Sequence, residues 1–329
     1  MFSNFLSYNG PLDVSIIFLA ILKGKAVNTI KSYKSAFKQW KFFALRNELK
    51  IFPASEIEFS VFLINLVESG KAWPSIKMVM HAVNFFHCLF NFPKPCIQDL
   101  DSKLLPFLRK CSRKVSNKKR PFSKTEVMRI LFIFSGKVKP STVSLRNMVM
   151  LYLGWFGFLR FSDLSQLRLN DVLIDGHIIN IFISGAKNDR FHEGQYLKLR
   201  ASSDWIEIIN LYVKQAKLSR VIIGRDKSYF LSPMIKNSNG EFLPSPKNIL
   251  SYGTVRTAIL SLCREAGVPV DGVGTHSLRI GGCTHASKAG VPDYVLDIHG
   301  RWAFNSNARA RYQRVDDDDL FLVLTALND

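Results

Sequence analysis

The sequence lacks most of the signatures that mark common enzyme and receptor classes. It has five cysteines, Cys88, Cys96, Cys111, Cys263 and Cys283, and no C-x-x-C pair among them. An odd number without a framework argues against a disulfide scaffold and fits buried thiols in a reducing compartment. His81, His87, Cys88 and Cys96 lie near one another, but their spacing matches no usual zinc pattern, so packing is the better reading and no metal is expected. There is no G-x-S-x-G elbow, Walker loop or dinucleotide fingerprint, which leaves a hydrolase or other small-molecule enzyme without support. No apolar run reaches the ~20 residues that a membrane-spanning helix needs. The start of the chain lacks the basic segment and small-residue cleavage site of a secretory signal. A soluble protein is expected. No internal repeat is found, and low complexity is confined to Asp316–Asp319.

Acidic residues are scarce too. There are 26 Asp and Glu against 45 Lys and Arg, a formal net charge of +19. Residues 1–120 carry +12 of this and residues 121–329 carry +7. An excess spread over both halves points to a polyanionic partner, with a merely basic soluble protein as the plain alternative. At 329 residues and 47% hydrophobic content, the chain can bury a sizeable core and suits two domains.

The first part reads as helices. Ile30, Tyr33, Phe37, Trp40 and Phe43 recur at helical spacing, with Asn28 or Thr29 as N-cap. The opposite face carries Lys31, Lys34, Lys38 and Lys41, either a solvated surface or one that touches phosphates. Phe59 to Leu66, a segment opened by Pro74, and Leu104 to Leu108 suggest three more helices. Phe85, Phe86 and Phe90 read as core rather than as base-stacking platforms. Arg109, Lys110, Arg113, Lys114, Lys118, Lys119 and Arg120 then crowd together while apolar content collapses, which marks an interdomain linker. Such a run can lie along a nucleic-acid backbone, and it resembles a nuclear import signal.

The second part opens on Ser123 followed by Glu126, a capping box. Met148 to Leu159 reads as a buried core helix, and Ser162 as the cap of the helix after it. The period then becomes strand-like: Val172 to Ile174, a turn at Asp175-Gly176, Ile178 to Ile183, and a third strand over Tyr196 to Leu199. Helices resume near 204–217 and 251–266.

Several residues carry chemistry. In Thr275-His276-Ser277-Leu278-Arg279, the imidazole and guanidinium are three apart and share a helix face. That pairing suits a phosphate, although an exposed helical pair has the same spacing. Gly281-Gly282 directly after it would let another element approach closely. His299-Gly300-Arg301-Trp302 precedes Tyr312, which is flanked by Arg309, Arg311 and Arg314. A phenol ionises only near pH ~10, so a tyrosine nucleophile needs cations close by. The bland alternative is an amphipathic tyrosine on a surface helix. Arg160 stands between an apolar helix and a capped one, where an arginine asks for an anion and Asp163 can orient it. Lys187 lies just past the hairpin's second strand.

Taken in order, Arg160, Lys187, His276-x-x-Arg279, Trp302 and Tyr312 resemble the tyrosine recombinase (phage integrase) family over the whole chain. The wording His-Ser-Leu-Arg-Ile-Gly-Gly and His-Gly-Arg-Trp is most similar to eukaryotic transposon-borne members of the Crypton and DIRS groups. The resemblance implies a mostly α fold with a small antiparallel sheet (α+β). It implies a helical core-binding domain over residues 1–110, a basic linker over 111–121, and a catalytic domain over 122–329 with an apolar tail at 316–329. That tail docks either on its own domain or on a neighbouring subunit of a homo-tetramer assembled on double-stranded DNA. Arg160 and Arg279 would clamp the scissile phosphate and His276 would assist proton transfer. Lys187 would protonate the leaving 5′ oxygen, Trp302 would donate an indole hydrogen bond, and Tyr312 would form a 3′-phosphotyrosyl link. No cofactor or metal is implied, nor any membrane. The compartment would be the nucleus in a eukaryote and the cytoplasm otherwise. A type IB topoisomerase-like enzyme and a decayed, DNA-binding transposon derivative share part of this pattern. One departure stands out: the step from Trp302 to Tyr312 is one residue longer than the family's. A loop over Asn305, Ser306 and Asn307 would absorb it; otherwise Arg301 or His299 would take the place of Trp302.

Overall fold

The computed structural model describes residues 20–95, 98–113, 119–184, 193–216, 218, 228–240, 242–245, 247–303 and 306–314. The chain divides into two compact units, Met1–Ser116 and Asn117–Asp329. The whole is mostly helical with a small antiparallel sheet.

The first unit contains helices α1 (Val27–Arg46), α2 (Glu56–Glu68), α3 (Trp73–Leu89) and α4 (Gln98–Cys111). α1 starts at Val27 with Ala26 as N-cap and no side-chain cap, two to three residues before the predicted cap at Asn28 or Thr29, because the Thr29 and Ile30 N–H groups already donate to the Ala26 carbonyl. α2 is closed at its start by reciprocal bonds between Ser55 and Glu58. Trp40 is the centre of the core. It packs edge-on to Phe59 at 5.4 Å between ring centroids and donates its indole N–H to the Ile51 carbonyl. Phe85, Phe86 and Phe90 are half-buried against Tyr33, Phe37 and Phe52, so they are spent on packing. Lys31, Lys34, Lys38 and Lys41 form an exposed row on α1. His87 is fully buried: its ring accepts from the Ala54 N–H and donates to the Val83 carbonyl.

The second unit contains α5 (Lys124–Ser135), α6 (Thr142–Phe156), α7 (Phe161–Gln166), β1 (Val172–Asp175), β2 (Ile178–Ile183), β3 (Gln195–Arg200), α8 (Ser203–Gln215), β4 (Met234–Lys236), β5 (Phe242–Pro244), α9 (Tyr252–Glu265), α10 (Thr275–Lys288) and α11 (Asp293–Gly300). α6 is apolar nearly all round and is buried from Leu145 to Trp155, as a helix enclosed on every side must be. α8, α9 and α10 pack around it. The sheet order is β1-β2-β3, all antiparallel. Ile179, Ile181 and Ile183 alternate inward from β2 onto the core. Asp175 still pairs with Ile178, so the turn falls on Gly176-His177, one residue later than predicted, with Gly176 at φ +53°. The glycine pair in α10 is where the backbones meet most closely. A Cβ on Gly281 would lie 2.1 Å from the Phe122 carbonyl oxygen, and one on Gly282 the same distance from that of Trp155.

Candidate active site

Three segments far apart in sequence converge in the second unit: the turn from α6 into α7, the first half of α10, and the stretch from the end of α11 to Tyr312. Arg160 occupies the N-cap position of α7. Asp163, not Ser162, makes the capping bond, with its Oδ2 accepting from the Arg160 N–H at 3.0 Å. Asp and Ser both suit helix starts, and here the carboxylate at the third helical position reaches back. The same oxygen lies 3.9 Å from Arg160 Nη1, and that nitrogen makes no hydrogen bond.

On α10, Arg279 is wholly buried while His276 is exposed. They are therefore not an exposed helical pair. Arg279 donates one Nη to the Phe158 carbonyl and the other to the Gly300 carbonyl, and its Nε has no partner. Its guanidinium lies over the Trp302 ring at 4.4 Å and the Tyr312 ring at 4.8 Å. Burial is the main cause that pulls the Arg279 pKa down, to about 9, and repulsion from Arg160 and Arg301 adds to it.

Trp302 is buried, and its indole N–H has no acceptor. It folds back over the end of α11 because Gly300 has no side chain: a Cβ there would lie 2.0 Å from the indole. Tyr312 is half-buried at the end of a 3₁₀ turn, Arg309–Arg311. Its ring is 5.3 Å from that of Trp302 and 6.3 Å from that of His276. The longer step between Trp302 and Tyr312 therefore does not separate their side chains. The Tyr312 segment is tied down by its own unit. Thr284 Oγ1 donates to the Tyr312 carbonyl at 3.0 Å, Gln313 bonds Ser287, and Arg309 pairs with Asp293 at 2.7 Å and Asp297 at 3.0 Å.

Arg301, expected only as a substitute for Trp302, is itself part of the site. It is buried, and its Nη2 sits 3.4 Å from Asp163 Oδ2. His299, the other alternative to Trp302, points away: it donates to the Phe156 carbonyl at 2.7 Å, and burial lowers its pKa. Lys187 lies outside the described residues, as does the tail at 316–329. Arg160 and Arg301 thus share the single carboxylate of Asp163 while Arg279 is buried against carbonyls, and such a surplus of buried positive charge favours an anionic ligand. Among the described residues, no group of His, Cys, Asp and Glu is placed to hold a metal ion. None of their helices is long and apolar enough to cross a membrane.

Comparison with solved structures decides the fold. The fold is that of the tyrosine recombinases. A post-cleavage complex of the XerH site-specific recombinase with palindromic difH substrate superposes with a TM-score of 0.61 at 14% identity, covering 89% of this chain and 76% of that one. The Tn1549 transposon integrase in complex with transposon right end DNA gives 0.54 at 14% identity, covering 100% and 98%. A lambda integrase tetramer bound to a Holliday junction gives 0.53 at 16% identity, covering 91% and 77%. No protein-family model and no curated protein sequence matches the chain. Tyrosine-recombinase architecture is therefore present here with little sequence identity to those proteins.

Proposed function

We propose that this chain is a site-specific DNA recombinase that cuts and rejoins DNA through Tyr312. The observation that carries the reading is the packing of Tyr312 and Trp302 on the buried Arg279 guanidinium, with His276 beside the Tyr312 ring. In this mechanism the Tyr312 oxygen attacks the scissile phosphorus and the bond to the 5′ oxygen breaks, leaving a 3′-phosphotyrosyl link. His276 helps remove the phenolic proton. Lys187 gives a proton to the departing 5′ oxygen. Arg160, whose Nη1 makes no hydrogen bond, donates to a non-bridging oxygen. Arg279 stabilises the developing charge from beneath, and the Trp302 indole N–H provides a further donor. Bond energy is kept in the covalent link, so the strand can be rejoined without a nucleotide cofactor.

The first unit and the basic stretch at 111–121 would grip the duplex, the tail at 316–329 would link subunits of a tetramer, and the origin would be a Crypton- or DIRS-like transposon acting in a nucleus. A nicked suicide duplex tests the chemistry. Wild type forms a covalent protein–DNA adduct mapping to Tyr312, whereas Tyr312→Phe binds the duplex and forms none. An adduct formed by Tyr312→Phe would overturn the assignment of the nucleophile.

A further inference from the structure

In the described part of the second unit, two non-glycine residues adopt left-handed backbone: Phe158 at φ 49° and Arg301 at φ 55°. They are bonded to each other, with Arg301 Nη2 donating to the Phe158 carbonyl at 3.1 Å. Each conformation is disfavoured for a residue with a side chain, and strained backbone of this kind persists where the surroundings over-determine it. Arg301 also ends α11 at a place where glycine is the usual residue. An arginine is held there despite both backbone strain and burial of its charge. The role therefore lies in what its guanidinium holds.

The guanidinium holds Asp163. That carboxylate fixes the backbone of Arg160 and lies within ion-pair distance of its Nη1. We propose that Arg301 is a positioning residue for Arg160. It anchors the Phe158 carbonyl and draws the charge of Asp163 toward itself, so that Arg160 keeps a free donor for the phosphate. Without Arg301, Asp163 is free to close onto Arg160 and neutralise it. Because Arg301 is separated from Tyr312 by one short segment, the same contact also links the Arg160 turn to the nucleophile's segment. The inference rests on the recombinase reading of this site.

The test is the single-turnover rate of adduct formation on the suicide duplex, measured with duplex affinity and melting temperature. Arg301→Gly removes the side chain and suits the left-handed backbone. It is expected to slow adduct formation about ten- to a hundredfold, as misplacement of a catalytic group does, with duplex affinity unchanged. The deficit should persist far below the melting temperature, which a merely structural role would not produce. Asp163→Asn in the Arg301→Gly background should recover part of the rate, since the carboxylate that closes onto Arg160 has then lost its charge. Arg301→Lys keeps the charge but not the planar fork, and should recover only part of the rate. Arg301→Gly at the wild-type rate, or slowing that multiplies with that of Asp163→Asn, overturns the inference. Should Arg301→Gly not fold, Arg301→Lys decides: slowed adduct formation at unchanged affinity supports the role and the wild-type rate refutes it. Absence of an adduct from the wild type refutes the recombinase reading itself, and this inference with it.

Discussion

A buried charged or titratable side chain costs stability unless the fold gives it partners, so each one has to be explained by what it holds. His87 shows how this works away from the site. Its Nε2 accepts from Ala54 and its Nδ1 donates to Val83, an arrangement open only to the neutral ring. Burial lowers its pKa, outweighing the opposing effect of the Val83 carbonyl. The unfolded chain then binds the proton more readily than the folded one, so the contribution of His87 is complete above the ordinary histidine pKa of ~6.5 and is lost as the pH falls below it. The melting temperature of the first unit should therefore drop as the pH falls below ~6.5. His87→Gln should flatten that part of the profile, and a wild-type melting temperature that holds steady there would contradict the account. Arg279 presents the opposite problem. It must stay charged to be useful, so it is wrapped by two carbonyls and two aromatic faces.

At the scale of elements, α10 is held against α6 and the start of α5 by a pair of glycines, and it carries both His276 and Arg279. Gly281→Ala and Gly282→Ala each push a methyl into a backbone carbonyl that cannot rotate aside. Each should destabilise the unit by about 3 kcal/mol, the upper end of ordinary overpacking. Gly253→Ala in α9 is the control, because its Cβ meets only Ser251 Oγ at an ordinary 3.6 Å. There, alanine should be neutral or stabilising by up to ~1 kcal/mol. Equal melting temperatures for all three variants would refute the packing argument. This glycine pair is legible in the sequence, and so are the Ser123–Glu126 box, the buried α6 and the hairpin, because each rests on local spacing. The support of Arg160 by Asp163 is legible only as a pairing, and Ser162 is the wrong cap. The part played by Arg301 is not legible, since it depends on a left-handed arginine where sequence rules expect glycine. Nor does spacing in an H-x-x-R motif reveal that the arginine is wholly buried while the histidine is exposed.

For the whole molecule, the dominant quantity is charge. The +19 is spread over both units rather than gathered in one tail, and α1 alone displays four exposed lysines in a row. If these groups meet a duplex, each phosphate they neutralise releases a counterion, and affinity falls as salt rises. With about six to ten phosphates neutralised, binding should weaken by ~10³ to 10⁵ between ~50 and ~200 mM monovalent salt. Fluorescence anisotropy over a salt series measures this directly. Tyr312→Phe should give the same slope as wild type, because the nucleophile contributes chemistry and no phosphate charge. Replacing Lys31, Lys34, Lys38 and Lys41 together with glutamine should make the slope shallower by up to ~0.9 for every phosphate left unneutralised. An unchanged slope would show that this lysine row faces solvent instead. A flat response in the wild type would remove the duplex as the polyanion to which the charge is addressed.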